Sequence, residues 1–347
     1  MTRHEALSVA TEVVGVDDLP AGLSGREWHA ASVSLLPGRL GRHYLSASWE
    51  TEIVLATGED GILGLLPVQR VRSRAVPSPV FDPASLAPRL FGEVEDARSY
   101  LFVGGCADLV AGAVTSAALP AGRAEQVRRA LVARARAEAG RRGLIAAAIY
   151  VRDEELAAFA QDGDDSRRER IGGLSTLAVP PDDERFLAAL THSQRRTVLK
   201  DRRAAAGLRS TTMPARDAVG LGADLVAAVK RRHGIEEHPR LLRMRLARWA
   251  AEPVGERVAF AVYADGTPDC LAVTFGCAIG GRLEIYETGV ADGTPHRHEA
   301  YVESLIHAPL RHALDRRLTG LDLGLDAETP KTRRGATLSP VWAVKPT

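Results

Sequence analysis

Asparagine is absent from all 347 residues. That excludes any Cys-His-Asn catalytic arrangement and leaves glycine and aspartate to make the tight turns. Cysteine is scarce: Cys106, Cys270 and Cys277 are odd in number and show no Cys-x-x-Cys spacing, so they read as core thiols in a reducing compartment. Aromatic residues make up only 5%. No apolar run approaches the ~18 residues that span a bilayer, and the opening MTRHEALSVATEVV lacks the basic-then-apolar pattern of a signal peptide. A cytoplasmic protein without membrane insertion is the expectation. Charge of one sign is also missing: 45 Lys and Arg stand against 44 Asp and Glu, which argues neither for nor against a nucleic-acid partner.

What the chain does have is 45% hydrophobic residues and enough length for two domains. Its strongest large-scale feature is a repeated element order. Residues 51–70 (TEIVLATGEDGILGLLPVQR) and 257–278 (RVAFAVYADGTPDCLAVTFGCA) each predict a hairpin with Asp-Gly at the bend. A helical stretch ending near Trp49 or Trp249 precedes each. After the first hairpin come a strand at 99–103, an Arg/Ala-rich helix at about 123–142 and a strand at 144–151. After the second come a strand at 282–290, a helix at about 298–317 and a strand at 320–325. Such a repeat predicts a tandem α/β duplication. The polar run QDGDDSRRERIGG at 161–173 is the expected linker, with domains at 1–165 and 174–347.

The second half carries a basic arm. Residues 191–207 predict a helix started by Thr191 or Ser193 and stopped by Gly207. Arg195, Arg196, Lys200, Arg202 and Arg203 fall within an arc of about 160° on it. Arg231 and Arg232 follow, and from His192 to Arg257 fifteen Lys/Arg face seven Asp/Glu. Either these are solvated helix faces or they form a patch for the phosphates of a nucleotide or an RNA backbone. The lack of interleaved aromatics argues against stacking on single-stranded bases.

A candidate reaction centre lies further on. In strand 282–290, alternation puts Glu287 on the face of Leu283, Ile285 and Gly289, where a carboxylate is either the buried partner of an arginine or a base with a raised pKa. His298 and Tyr301 stand three apart at a helix start and share a face. His296-x-His298 has no third ligand at metal spacing, so no metal is expected. In LDLGLDAETPKTRRGATLSPVW (321–342), Asp322 and Asp326 point away from a leucine face, and Lys331, Arg333 and Arg334 follow on a loop. The two signs either close a salt-bridge network or divide the work, with the cations meeting an acyl donor and the acids an incoming amine.

The order of hairpin, strand, helix and strand, met twice, resembles the GNAT acyltransferase domain. The second half resembles the Fem-type branch through SQRRTVLKDRRAAAGLR (193–209), the Asp-Leu-Gly of the strand at 320–325, and KTRRGATLSPVW (331–342). The resemblance implies an α/β (α+β) fold of two tandem GNAT-like domains, each a mixed central sheet flanked by helices. It also implies transfer of an acyl or aminoacyl group to an amine, with a charged tRNA as donor, no tightly bound cofactor and a lysine near the donor. Lys331 fits that position best. Glu287, His298, Tyr301 and Asp322 are the other candidate catalytic residues; Arg195, Arg196, Lys200, Arg202, Arg203, Arg231, Arg232, Arg333 and Arg334 are the candidate RNA contacts of a monomer. Two alternatives stay open. An acyl-CoA donor would use Gly122 and Ala124 in the 119–124 loop, which lacks the leading Gln/Arg of a CoA loop. A catalytically silent RNA-binding protein would keep the fold alone.

Overall fold

The structure, a computed structural model, describes residues 9–23, 26–40, 48–59, 61–92, 94–106, 108–160 and 164–347. The chain divides into two compact units, Met1–Gly172 with Pro340–Thr347, and Gly173–Ser339. The segment Pro340–Thr347 thus goes to the first unit, although it follows the second in sequence. Of the expected linker, residues 161–163 lie outside the described residues; Asp165–Arg167 form a 3-10 turn and a strand begins at Arg168.

The first unit contains strands β1 (Ala10–Gly15), β2 (Trp28–His29), β3 (Trp49–Gly58), β4 (Gly61–Val71), β5 (Tyr100–Val103), β6 (Val114–Ser116) and β7 (Ile145–Arg152). β1, β3, β4 and β5 are antiparallel neighbours, and β5 pairs with β7 in parallel. The predicted hairpin is β3–β4; its Asp60 lies outside the described residues, and Gly61 takes a φ of 96° that favours glycine. Trp49 opens β3 rather than closing a helix, and most of the stretch before it, 41–47, lies outside the described residues. The Arg/Ala helix spans Ala121–Arg141 and buries Ala124, Val127, Leu131, Val132, Ala135 and Ala139, a stripe at helical spacing. Gly143, at φ 65°, ends it in the left-handed cap conformation. Leu131→Ala in this fully buried row would cost about 3 kcal/mol.

The second unit contains most of β8 (Arg168–Ala178), then β9 (Leu208–Pro214), β10 (Glu256–Ala264), β11 (Cys270–Ile279), β12 (Arg282–Val290) and β13 (Gly320–Asp322). Its strand order is β8-β13-β12-β11-β10-β9, and only the β12–β13 pair is parallel. A last strand, β14 (Thr337–Val344), carries Val341, Trp342 and Val344 into register with β7 in the first unit. Each unit is therefore a mixed sheet flanked by helices, with the expected order of hairpin, strand, helix and strand from the hairpin onward.

Helices Ala215–Arg232 and Pro239–Ala250 cover one face of the second sheet. On the other face, Arg297–Val302, a π-turn at Glu303–His307 and Ala308–Asp315 follow one another as one helix, here called the crossover helix. Pro309 has no N–H to give the carbonyl four residues back, and the helix widens into the π-turn just before it. The basic helix spans His192–Ala204, opened by Thr191 and Gln194 in a reciprocal capping box.

Candidate active site

In a parallel strand pair joined by a helix, a crevice opens beyond the carboxyl ends of the strands. The β12–β13 ladder has three residue pairs, from Arg282↔Gly320 to Glu284↔Asp322, and then β13 stops while β12 runs on to Val290. β10 and β11 are buried along almost their whole length, yet β12 is only half-buried from Glu284 to Thr288. From Ile285 on, β12 has no strand partner on that side among the described residues, and the gap that it walls there is the candidate crevice. The crossover helix follows β12 after a short loop; no side chain caps it at His296, and the Arg297 N–H donates to the Thr294 carbonyl at 3.3 Å.

The wall has two faces because it bulges. Phe275 stands opposite Glu287 and Gly276 opposite Ile285, which leaves Tyr286 as the extra residue. The slip reverses the faces. Leu283 and Ile285 join the core beneath the crossover helix, while Gly289 lies against the backbone of Leu225 and Val226. Glu287 is on the Gly289 side, not with the leucine and isoleucine as strict alternation predicted. There it accepts from Arg245 at 2.7 Å and meets the Lys230 ammonium at 3.3 Å. Burial pushes its carboxyl up, but the charges of Arg245 and Lys230 outweigh that and hold it below the usual carboxylate value. Glu287 is thus an ionised, paired carboxylate rather than a base with a raised pKa. Arg245 also holds Glu237 through two nitrogens, at 3.0 and 3.1 Å, and donates to the Tyr286 hydroxyl at 2.9 Å. Lys230 lies 3.2 Å from Glu237. Tyr286 is stacked on Trp249 with ring centroids 4.5 Å apart.

On the opposite face Thr288 brings a hydroxyl to the wall. It lies 3.2 Å from the Thr274 hydroxyl, which lies 3.3 Å from that of Ser304 in the π-turn. This chain ties the wall to the crossover helix. His298 is exposed, whereas Tyr301 packs inward between two core clusters; the two do not share a face toward the strand end. Burial pushes the Tyr301 phenol up against the opposing charge of Arg334.

The far lip is the loop after β13. Gly324, Asp326 and Ala327 all have positive φ, so the predicted strand to Leu325 ends at Asp322, whose Oδ1 accepts from the Gly324 N–H at 3.0 Å. Lys331 is buried and its ammonium donates to the carbonyls of Gly324, Leu325 and Asp326 at 3.1, 2.8 and 2.8 Å. An ammonium has three N–H donors. All are engaged in folding this loop, so Lys331 is a clamp on the lip and has no donor left for an oxyanion. Arg334 is buried as well, donating to Asp201 of the basic helix at 2.7 Å and to the Pro330 carbonyl at 2.8 Å. The same Asp201 oxygen lies 3.9 Å from Nε2 of buried His307 in the π-turn.

The basic helix is therefore divided. Arg195 caps the preceding helix through the Leu187 and Ala188 carbonyls, and Arg202 forms a two-pronged pair with Asp183 at 2.8 and 2.6 Å. Arg232 pairs with Asp292. Arg196, Lys200 and Arg203 are exposed at i, i+4 and i+7, a single outward stripe, and Arg231 and Arg333 are exposed too. Sequence reasoning missed Lys230, Glu237, Arg245, Thr288, Asp201 and His307; apart from the local excess of basic residues no pattern singled them out, since each matters through a partner distant in the chain.

The corresponding crevice of the first unit is filled. Val68 stands opposite Val103 and Leu65 opposite Val114, so the described residues 104–106 and 108–113 bulge out between β5 and β6. Ala111 makes a parallel bridge with Val151 and donates to the Tyr150 carbonyl at 3.1 Å, and Gly112 donates to Gly104 at 3.2 Å. Buried Glu155 accepts from the Ala113 N–H at 3.2 Å, and Gln69 accepts from that of Cys106 at 3.0 Å. Gly122 and Ala124 lie at the start of the helix beside this plug. Ala124 is buried, and a side chain added at Gly122 would meet open space, so no close approach requires glycine there.

No protein-family model matches the chain, and no curated protein matches it. Solved structures do. FemX is 10% identical, with 97% of each chain covered and a TM-score of 0.59. L-PGS from Bacillus licheniformis is 9% identical over 88% of this chain and 87% of its own, with a TM-score of 0.50. A conserved protein of unknown function from Bacteroides thetaiotaomicron VPI-5482 is 13% identical over 90% of each chain, also at 0.50. At these identities the likeness is one of fold, and the fold is that of FemX along almost the full chain.

Proposed function

We propose that this protein is an N-acyltransferase that moves an acyl or aminoacyl group from a charged tRNA to the amine of a small-molecule or cell-wall-precursor acceptor. The observation that carries the reading is the open β12–β13 crevice in a chain with the fold of FemX. Behind its wall Glu237 and Glu287 are paired with Arg245 and Lys230, and no side chain caps the start of the crossover helix. The exposed stripe Arg196, Lys200 and Arg203 supports a phosphate backbone as the donor's handle, and the resemblance to Fem-type transferases supports tRNA as its identity. On the inner side of that helix, Asp201 holds Arg334 of the crevice lip.

In the proposed reaction the acceptor nitrogen attacks the ester carbonyl. The C–N bond forms, the C–O bond to the ribose breaks, and the proton lost by the amine ends on the leaving hydroxyl. The ester is already activated, so positioning does most of the work. Glu287 holds the ammonium form of the acceptor or accepts a hydrogen bond from the amine, and exposed His298 takes the proton. Since the Lys331 donors are engaged, the oxyanion falls to main-chain N–H groups along β12 and at the start of the crossover helix.

The test begins with protein purified at low salt without nuclease, followed by single-turnover transfer from the co-eluting RNA to an amine. Salt-released, acylated, tRNA-sized RNA that yields an amide is the expected result. Saturable CoA binding without RNA would replace the donor, and RNA binding without transfer to any amine would leave a silent RNA-binding protein.

A further inference from the structure

Helix Pro239–Ala250 is apolar on two sides. Leu242, Arg245, Leu246 and Trp249 face the sheet, as a surface helix requires. Its outer side should then be polar, yet Leu241 and Met244 are 59% and 62% exposed there. Among the described residues only four large hydrophobic side chains are exposed. A third, Leu221, lies on the neighbouring helix Ala215–Arg232, joined to this one by Arg243–Asp224 at 3.7 Å. Arg240, Arg243 and Arg248 flank the apolar pair, all exposed, and the twelve-residue helix contains no Asp or Glu.

We propose that this face docks on an anionic lipid bilayer, with Leu241 and Met244 entering the headgroup–acyl boundary and the arginines meeting lipid phosphates. Two apolar side chains framed by cations match a surface that is negative outside and apolar just beneath. A second copy of the chain fits worse, because a two-fold contact through this face would bring arginines against arginines. RNA fits worse too, since aliphatic side chains offer bases nothing to stack on. The helix is far too short to span a membrane, and no described helix is long and apolar enough to do so, so the attachment is peripheral. The proposal does not depend on the transferase reading.

The experiment is flotation of the full chain with phosphatidylcholine vesicles, with and without phosphatidylglycerol, for the wild type, L241S/M244S and R240Q/R248Q. The expected result is partition into phosphatidylglycerol vesicles alone, weakened by salt and reduced about tenfold or more by either double substitution. Both pairs are exposed, so the circular-dichroism melting curve should stay in place; if the apolar pair does unfold, the arginine pair carries the same test. No partition of the wild type overturns the proposal, as does undiminished partition of both variants. A concentration-dependent dimer abolished by L241S/M244S, without vesicle binding, overturns it in favour of self-association.

Discussion

The two units repeat one element order but treat the same crevice in opposite ways. In the first, the chain swells after β5, a strand of the parallel pair, and the described residues 104–106 and 108–113 fill the gap between β5 and β7 with main chain held by Glu155 and Gln69. In the second, the equivalent irregularity is one residue, Tyr286, and the gap beside it stays open. A plug and a bulge at the same strand thus separate a unit that is packed shut from one that can admit a ligand. Buried irregular backbone must have its hydrogen bonds met internally, which is why the plug is stapled from three directions. The open wall is braced instead by charges behind it.

Arg245→Met leaves Glu237 and Glu287 with Lys230 alone, and should cost about 3–5 kcal/mol in chemical denaturation; a loss below about 1 kcal/mol would mean the cluster does not hold the bulge. Gly289→Ala should cost about 2 kcal/mol by the same measurement, because a Cβ there would sit 2.5 Å from the Val226 nitrogen.

The lip that Lys331 clamps responds to pH. Burial pushes its ammonium down from 10.5 to about 8, so in the window between those values the unfolded chain binds more protons than the folded one. Stability from this group therefore rises with pH there, by at most ~1.4 kcal/mol per unit, and is flat below the folded value. The rise should vanish in Lys331→Met, whose denaturation curves across that window are the check. Replacing Arg196, Lys200 and Arg203 by glutamine should flatten the salt dependence of RNA binding by roughly two to three in log–log slope, with no change in melting. The smallest effect belongs to the first unit: Gly122→Ala meets open space near a helix start and should stabilise by a few tenths of a kcal/mol, about 0.5 at most.

Much of the fold was legible because its periods are long and plain. The hairpins, the Arg/Ala helix, the start of the basic helix near Thr191 and the bounds of β12 all follow from local pattern. The site was less so, and Glu287 shows why. A single bulged residue cannot be seen in an alternating sequence, and it moved the carboxylate to the other face of the sheet. Lys331 looked like a free cation on a loop, yet three left-handed residues fold that loop around its ammonium. The plug after β5 gave no signal either, since Gly-Gly-Cys followed by a short run around Asp108 reads as an ordinary loop until β7 is beside it.

The most direct test of the contrast needs no substrate. Hydrogen–deuterium exchange on the intact protein compares the peptide spanning residues 284–288 with those spanning 100–103 and 110–114. The first should exchange about tenfold faster or more, because its outer N–H groups face a crevice rather than a strand. Equal protection of the two regions would mean that the second crevice is closed like the first, and the proposed site would lose its footing.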